Sequence, residues 1–91
     1  MYLEIVTPEQ IVFSAEVTSV AVPGINGEFQ MLNNHAPIIS LLGNGKIKID
    51  ASLTNEQSKT LSKNSDDNRW VYTIKSGVIE VSNNKVIVLV E

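Results

Sequence analysis

His35 is the only imidazole in the chain, with Glu28 seven positions before it and Ser40 five after. A metal centre built on this histidine needs further His, Cys, Asp or Glu ligands gathered around one ion. The chain has no cysteine, and nothing near His35 other than Glu28 belongs to a ligand cluster. Nucleophilic catalysis needs a base within reach of the nucleophile and an acid that orients the base. The spacing of Glu28, His35 and Ser40 does not form that arrangement. Gly24-Ile25-Asn26-Gly27 carries two glycines, but a phosphate cradle needs Gly-Lys-Ser/Thr and then a helix whose N-terminus faces the phosphate. Strand-type residues follow instead, so the segment reads as a reverse turn. Asp66-Asp67 beside Arg69, in the most polar stretch of the chain, reads as a solvated ion pair. No catalytic residue, cofactor site, metal site or small-molecule substrate is assigned. His35 is expected to fix the entry into the strand after Ala36-Pro37 through ring hydrogen bonds, or to stand at an interface.

The elements that position these residues follow a period of two. Ile11, Phe13, Ala15 and Val17 fall on one face; Lys46-Ile47-Lys48-Ile49-Asp50 alternates; Trp70, Tyr72 and Ile74 share a face. This is the pattern of half-buried antiparallel strands. Val86–Val90 is apolar throughout, which predicts a strand covered on both sides. Thr7-Pro8, Pro23-Gly24, Gly43-Asn44-Gly45 and Asn83-Asn84 separate the runs, where a preset or positive φ is useful. Gly43-Asn44-Gly45 is expected to be a hairpin turn, and Asn83-Asn84 a two-residue hairpin loop. Many short strands with regular turns predict an all-β fold, an antiparallel β-sandwich or flattened barrel.

Residues 51–68 depart from the alternation. Thr54-Asn55-Glu56-Gln57 has the residues of a helix-capping box, but no apolar stripe follows for a helix to bury. A mobile excursion between two strands is expected, and removing most of Thr54–Asp67 is expected to cost little, because loop closure depends weakly on length. Phe29, Met31 and Leu32, with Ile38, Ile39, Leu41 and Leu42, are more apolar than one sheet face demands. Both a core role and an exposed patch for a partner, shared with Pro23 and Pro37, fit them.

Ninety-one residues make one domain, 1–91, built on a single core. Net charge is −3 and the basic residues are scattered, which argues against a nucleic-acid partner, since phosphate tracking needs a basic stripe. The longest apolar run, Val86–Val90, is far below the roughly 20 residues that cross a bilayer. The N-terminus has neither the basic start nor the apolar stretch of a signal peptide. A protein without direct membrane insertion is expected, with any membrane association made through a partner.

Pro23-Gly24-Ile25-Asn26-Gly27-Glu28-Phe29, then His35-Ala36-Pro37-Ile38-Ile39-Ser40-Leu41-Leu42, then Gly45-Lys46-Ile47-Lys48-Ile49, resembles the N-terminal β-sandwich of the ATP synthase epsilon subunit, delta in mitochondria. Leu3–Gln10 and Ser76–Leu89 match the same pattern, in order. The resemblance implies a non-catalytic rotor subunit at the foot of the central stalk, between the gamma subunit and the membrane c-ring. Its location would be peripheral, within the F1 sector, on the inner face of an energy-coupling membrane. By motif, Glu28 would face the polar loops of the c-ring, and Thr7, His35 and Ser40 would lie on the gamma side. The competing class is a free-standing β-sandwich recognition module.

This sequence departs from the family pattern at Gln30, where a glycine is usual, and at Asn33-Asn34, where Pro-Gly is usual. Asparagine tolerates the same left-handed turn, so the loop shape is expected to survive. The 51–68 excursion is longer than the usual hairpin. The chain ends at Glu91, before the helical hairpin that the family carries there, so that hairpin's roles in restraining ATP hydrolysis and binding ATP are not carried over.

Overall fold

Ile47 and Ile49 are fully buried, while Lys46, Lys48 and Asp50 between and beside them point outward. The same alternation, repeated along the chain, generates the architecture. A computed structural model describes residues 1–91. Ten strands run in order: β1 (Tyr2–Val6), β2 (Ile11–Glu16), β3 (Ser19–Gly24), β4 (Gly27–Met31), β5 (Ile38–Leu42), β6 (Gly45–Asp50), β7 (Ser62–Lys63), β8 (Trp70–Ile74), β9 (Gly77–Ser82) and β10 (Lys85–Val90). No segment is helical.

The strand order is β2-β1-β10-β9-β5-β3-β6-β8-β7, with β4 on the other side of β3. Every ladder is antiparallel except β1 with β10, which is parallel. β3 and β5 meet at one pair, Gly24 with Leu42. The sheet therefore divides there into two halves, β2-β1-β10-β9-β5 and β4-β3-β6-β8-β7. Leu3, Ile5, Ile79, Val86 and Val88 of the first half share one buried cluster with Val20, Val22, Met31, Ile47 and Ile49 of the second. The halves are thus the two layers of a β-sandwich, as the alternation predicts.

Three local expectations are corrected. Gly43-Asn44-Gly45 does not close a hairpin, because β5 pairs with β9 and β6 with β8. The segment turns the corner between the layers, with the Gly43 N–H bonded to the Pro23 carbonyl at 2.8 Å. Val86–Val90 is covered on one side only: Val86, Val88 and Val90 are buried, but Leu89 is 51 % exposed. Ile11 leaves the face of Phe13, Ala15 and Val17 and stands exposed. The β1–β2 register shifts there, setting Ile5 opposite Phe13 but Val6 opposite Ile11, so one extra residue on β2 turns Ile11 outward.

The asparagine turns form as expected. Asn83 and Asn84 have φ of 52° and 59°, and Asn34 has 62°, the left-handed region that asparagine tolerates better than most residues. Thr54 and Gln57 make both reciprocal bonds of a capping box, at 3.1 and 3.0 Å, yet the chain winds only through turns over residues 55–60. Leu53 and Leu61 pack against the core from this segment, and Thr60 Oγ1 donates to the Val12 carbonyl at 2.8 Å.

Candidate functional site

Side chains paired across a ladder point to the same face, so the register can be read across several strands. Leu41 on β5 pairs with Val78 on β9, Val78 with Leu89 on β10, Leu89 with Val6 on β1, and Val6 with Ile11 on β2. In the same strands Leu3, Ile5, Ile79, Val86 and Val88 point to the core. The five-residue row therefore lies on the outer face of the first layer, where Leu41 is 58 % and Ile11 56 % exposed. At neighbouring strand spacings of about 4.8 Å the row runs roughly 19 Å. Ile25, at the tip of the β3–β4 hairpin and 61 % exposed, overhangs one end of it. Leu41, Val78, Leu89 and Val6 of the row, with Ile25, Thr7 and Pro8, line an open groove of about 670 Å³, and Ile11 lies outside it. The row is a contiguous apolar surface and not a scatter of single exposed side chains.

The four residues singled out from the sequence occupy four places. Thr7 lines the groove and closes the β1–β2 turn; its N–H and hydroxyl both donate to the Gln10 carbonyl, at 2.9 and 3.1 Å. Ser40 is half-buried in the middle of β5, on the opposite side of that strand from Ile39 and Leu41. His35 lies beyond the other end of β5. Its ring Nδ1 is 2.7 Å from the Ala36 carbonyl, which only accepts, so Nδ1 carries the proton. The preceding Asn34 N–H donates to Asn84 Oδ1 at 2.8 Å, tying this loop to the β9–β10 turn. Thr7 and His35 are thus not brought together; they stand at opposite ends of β5, with Ser40 between them.

Glu28 is elsewhere. Its carboxylate pairs with Lys48 Nζ at 3.1 Å, and Lys48 alternates with the buried Ile47 and Ile49. Glu28 therefore belongs to the outer face of the second layer, while the apolar row covers the outer face of the first. No three of the His, Asp and Glu side chains converge in a way that could hold a metal ion.

Of the apolar residues whose role the sequence left open, Met31 and Leu42 are in the core and Phe29 and Ile38 pack partly against it. Leu32, Ile39 and Leu41 are exposed. Val6, Ile11, Val78 and Leu89 were not legible as parts of one surface. They come from four separate stretches, and only the cross-strand register joins them.

Over residues 1–91 the chain matches the family model of the ATP synthase delta/epsilon chain β-sandwich domain. It is 42% identical over 89 residues to the ATP synthase epsilon chain of Chlorobium limicola, covering 98% of this chain and 86% of that one. The epsilon chain of Nitratidesulfovibrio vulgaris is 40% identical over 91 residues, and this chain spans 58% of its length. Among solved structures, a chain of the Tetrahymena thermophila mitochondrial ATP synthase central stalk and c-ring has the same fold. Its TM-score is 0.72 at 16% identity, over 99% of this chain and 62% of that one.

Proposed function

The chain belongs to the ATP synthase delta/epsilon β-sandwich family, and from that membership we propose that it is the central-stalk subunit that links gamma to the c-ring. In that role it performs no chemistry itself and helps couple proton transport to ATP synthesis. One observation supports the reading: the two outer faces of the sandwich differ in chemistry, one apolar and one carrying a charged pair. The apolar row of Leu41, Val78, Leu89, Val6 and Ile11 covers one layer. The Glu28–Lys48 pair stands on the other. A linking subunit needs two surfaces that do not overlap, so that both partners are held at once. Gamma takes the apolar face, with Thr7 in its groove and His35 beyond the far end of β5. Ser40, on the other side of β5 from Leu41, stands beside that face rather than on it. An apolar centre with a polar rim is the usual anatomy of a stable interface. Glu28 meets the polar loops of the c-ring. The location follows from the partners: a peripheral position on the inner face of an energy-coupling membrane. No helix of the chain is long and apolar enough to cross a membrane.

Pull-down of the tagged chain with gamma and the c-ring tests this reading. The parent should retain both. Leu41→Lys with Leu89→Lys should lose gamma while the fold persists, since exposed substitutions of this type shift stability by only about 0.5 kcal/mol. Glu28→Arg should keep gamma and weaken the c-ring contact and proton-driven synthesis. A well-folded, monodisperse parent with no affinity for gamma would favour a free-standing recognition module instead.

A further inference from the structure

The chain contains two Asn-Gly steps, Asn26-Gly27 and Asn44-Gly45, and the fold holds them differently. In such a step the backbone nitrogen of the glycine can attack the asparagine side-chain amide, because the absence of a Cβ leaves the approach open. Gly27 belongs to the terminal pair of its ladder, opposite Gly24, where β3 ends and β4 begins. It has φ of 124°, and a Cβ placed on it would meet nothing within 4 Å. Ile25, Asn26 and Gly27 are all exposed, and ladder ends at loop tips open at little free-energy cost. Gly45 is packed instead: a Cβ there would lie 2.7 Å from Pro23 Cβ, and the Gly43 N–H on the other side of Asn44 is bonded to the Pro23 carbonyl.

We infer that Asn26 is a site of spontaneous deamidation, at the tip of the hairpin that carries Glu28. Hydroxide removes the Gly27 amide proton. The nitrogen then bonds to Asn26 Cγ, and the Cγ–Nδ2 bond breaks as water protonates Nδ2, so that ammonia leaves, hydroxide is regenerated and a five-membered cyclic imide remains. Water opens the imide at either carbonyl, to aspartate or to isoaspartate. No electron transfer and no cofactor are involved. Either product places a new carboxylate two residues before Glu28, on a hairpin where Lys48 is the cation paired with Glu28. Isoaspartate also inserts a methylene into the backbone of the turn that holds Ile25 over the groove. The modification itself is independent of the partners assigned above; only its effect on a c-ring contact rests on that reading.

The test is peptide mapping of the folded full-length chain incubated in mildly acidic and mildly alkaline buffer, with separation of aspartate from isoaspartate. A parallel sample in urea gives the rates without structure. Expected is conversion at Asn26 that speeds up with pH and outpaces Asn44 by at least about tenfold in the folded chain, a barrier difference of about 1.4 kcal/mol, with the two rates converging in urea. Asn26→Gln, whose ring closure would be six-membered, should abolish conversion at that position and leave Asn44 unchanged. Conversion at Asn44 equal to or faster than at Asn26 in the folded chain would overturn the inference. So would an Asn26 that stays intact under conditions where the urea sample converts.

Discussion

Arg69 and Asp67 close the far end of the 51–68 excursion through a four-bond clip. Asp67 Oδ2 accepts from Arg69 Nε and Nη2, each at 2.9 Å, while Oδ1 accepts from the Arg69 N–H at 2.9 Å and from Asn64 Nδ2 at 3.2 Å. The guanidinium hydrogen bonds first, then the Arg69 backbone N–H, hold the Asp67 carboxyl below its ordinary value of 3.8. A lowered folded value means that the clip's stabilisation is fully present above that ordinary value and is lost as pH falls through the folded one. Arg69→Ala should therefore move the Asp67 midpoint partway back up, read by NMR titration of the carboxyl carbon. A midpoint that does not move would remove the guanidinium as the cause. Thermal stability at neutral pH should barely change, because the pair is solvated. The charges were legible in the sequence as an ion pair, but which oxygen each donor takes depends on a loop shape that no residue type announces. His35 shows the same limit. Its bond to the Ala36 carbonyl is local and could be anticipated, whereas the bond tying Asn34 to Asn84 joins residues fifty positions apart.

Turn residues were the most legible elements and loop anchors the least. The β9–β10 turn separates two roles of one asparagine. Asn84 supplies a positive φ of 59°, and its amide also bonds the Asn34 N–H and Asn33 Oδ1. Asn84→Gly keeps the backbone and loses the bonds, which should cost about 1 kcal/mol. Asn84→Ala loses both, and should be worse by about another 1 kcal/mol, measured by urea unfolding. Equal losses would mean that φ is not constraining. The excursion reverses an expectation drawn from loop length alone. Its removal forfeits partial burial of Leu61, about 1.5 kcal/mol, and the Thr60 bond to Val12, about 1 kcal/mol. Shortening a loop returns only about 0.6 kcal/mol per halving. Loss wins, so deletion of Thr54–Asp67, which shortens the connection by nearly two halvings, should lower stability by roughly 1 kcal/mol. A deletion variant as stable as the parent would show that the anchors contribute nothing. Composition hid this because the anchoring atoms are a hydroxyl and one leucine in a polar stretch, and the hydroxyl's partner Val12 lies on another strand. The β2 bulge was hidden for a similar reason: it leaves the alternation intact and changes only the register against β1.

Across the whole molecule, two layers that meet in the ladder at a single residue pair could unfold separately if each had its own core. They do not have separate cores. Ile5, Ile79 and Val88 of one layer and Val22, Ile47 and Ile49 of the other are fully buried members of one cluster. Each such side chain contributes about 1.5–3 kcal/mol only while both layers are in place. Neither layer alone is then stable, since net stability is a small remainder, typically about 5–15 kcal/mol, after chain entropy is offset. The parallel β1–β10 pair strengthens the coupling, because it joins the two ends of the chain inside one layer. Unfolding should therefore be all-or-none. Trp70, the only tryptophan, reports on the second layer, and amide exchange along β1 and β10 reports on the first. The fluorescence transition in urea should coincide with the loss of far-UV signal. The slowest amides of β1 and β10 should exchange with the same free energy that the fluorescence transition gives. A fluorescence midpoint distinct from the far-UV midpoint would show that the second layer opens on its own. The groove face would then belong to a layer that persists without its counterpart, and a rigid joint between two partners would need a different physical basis.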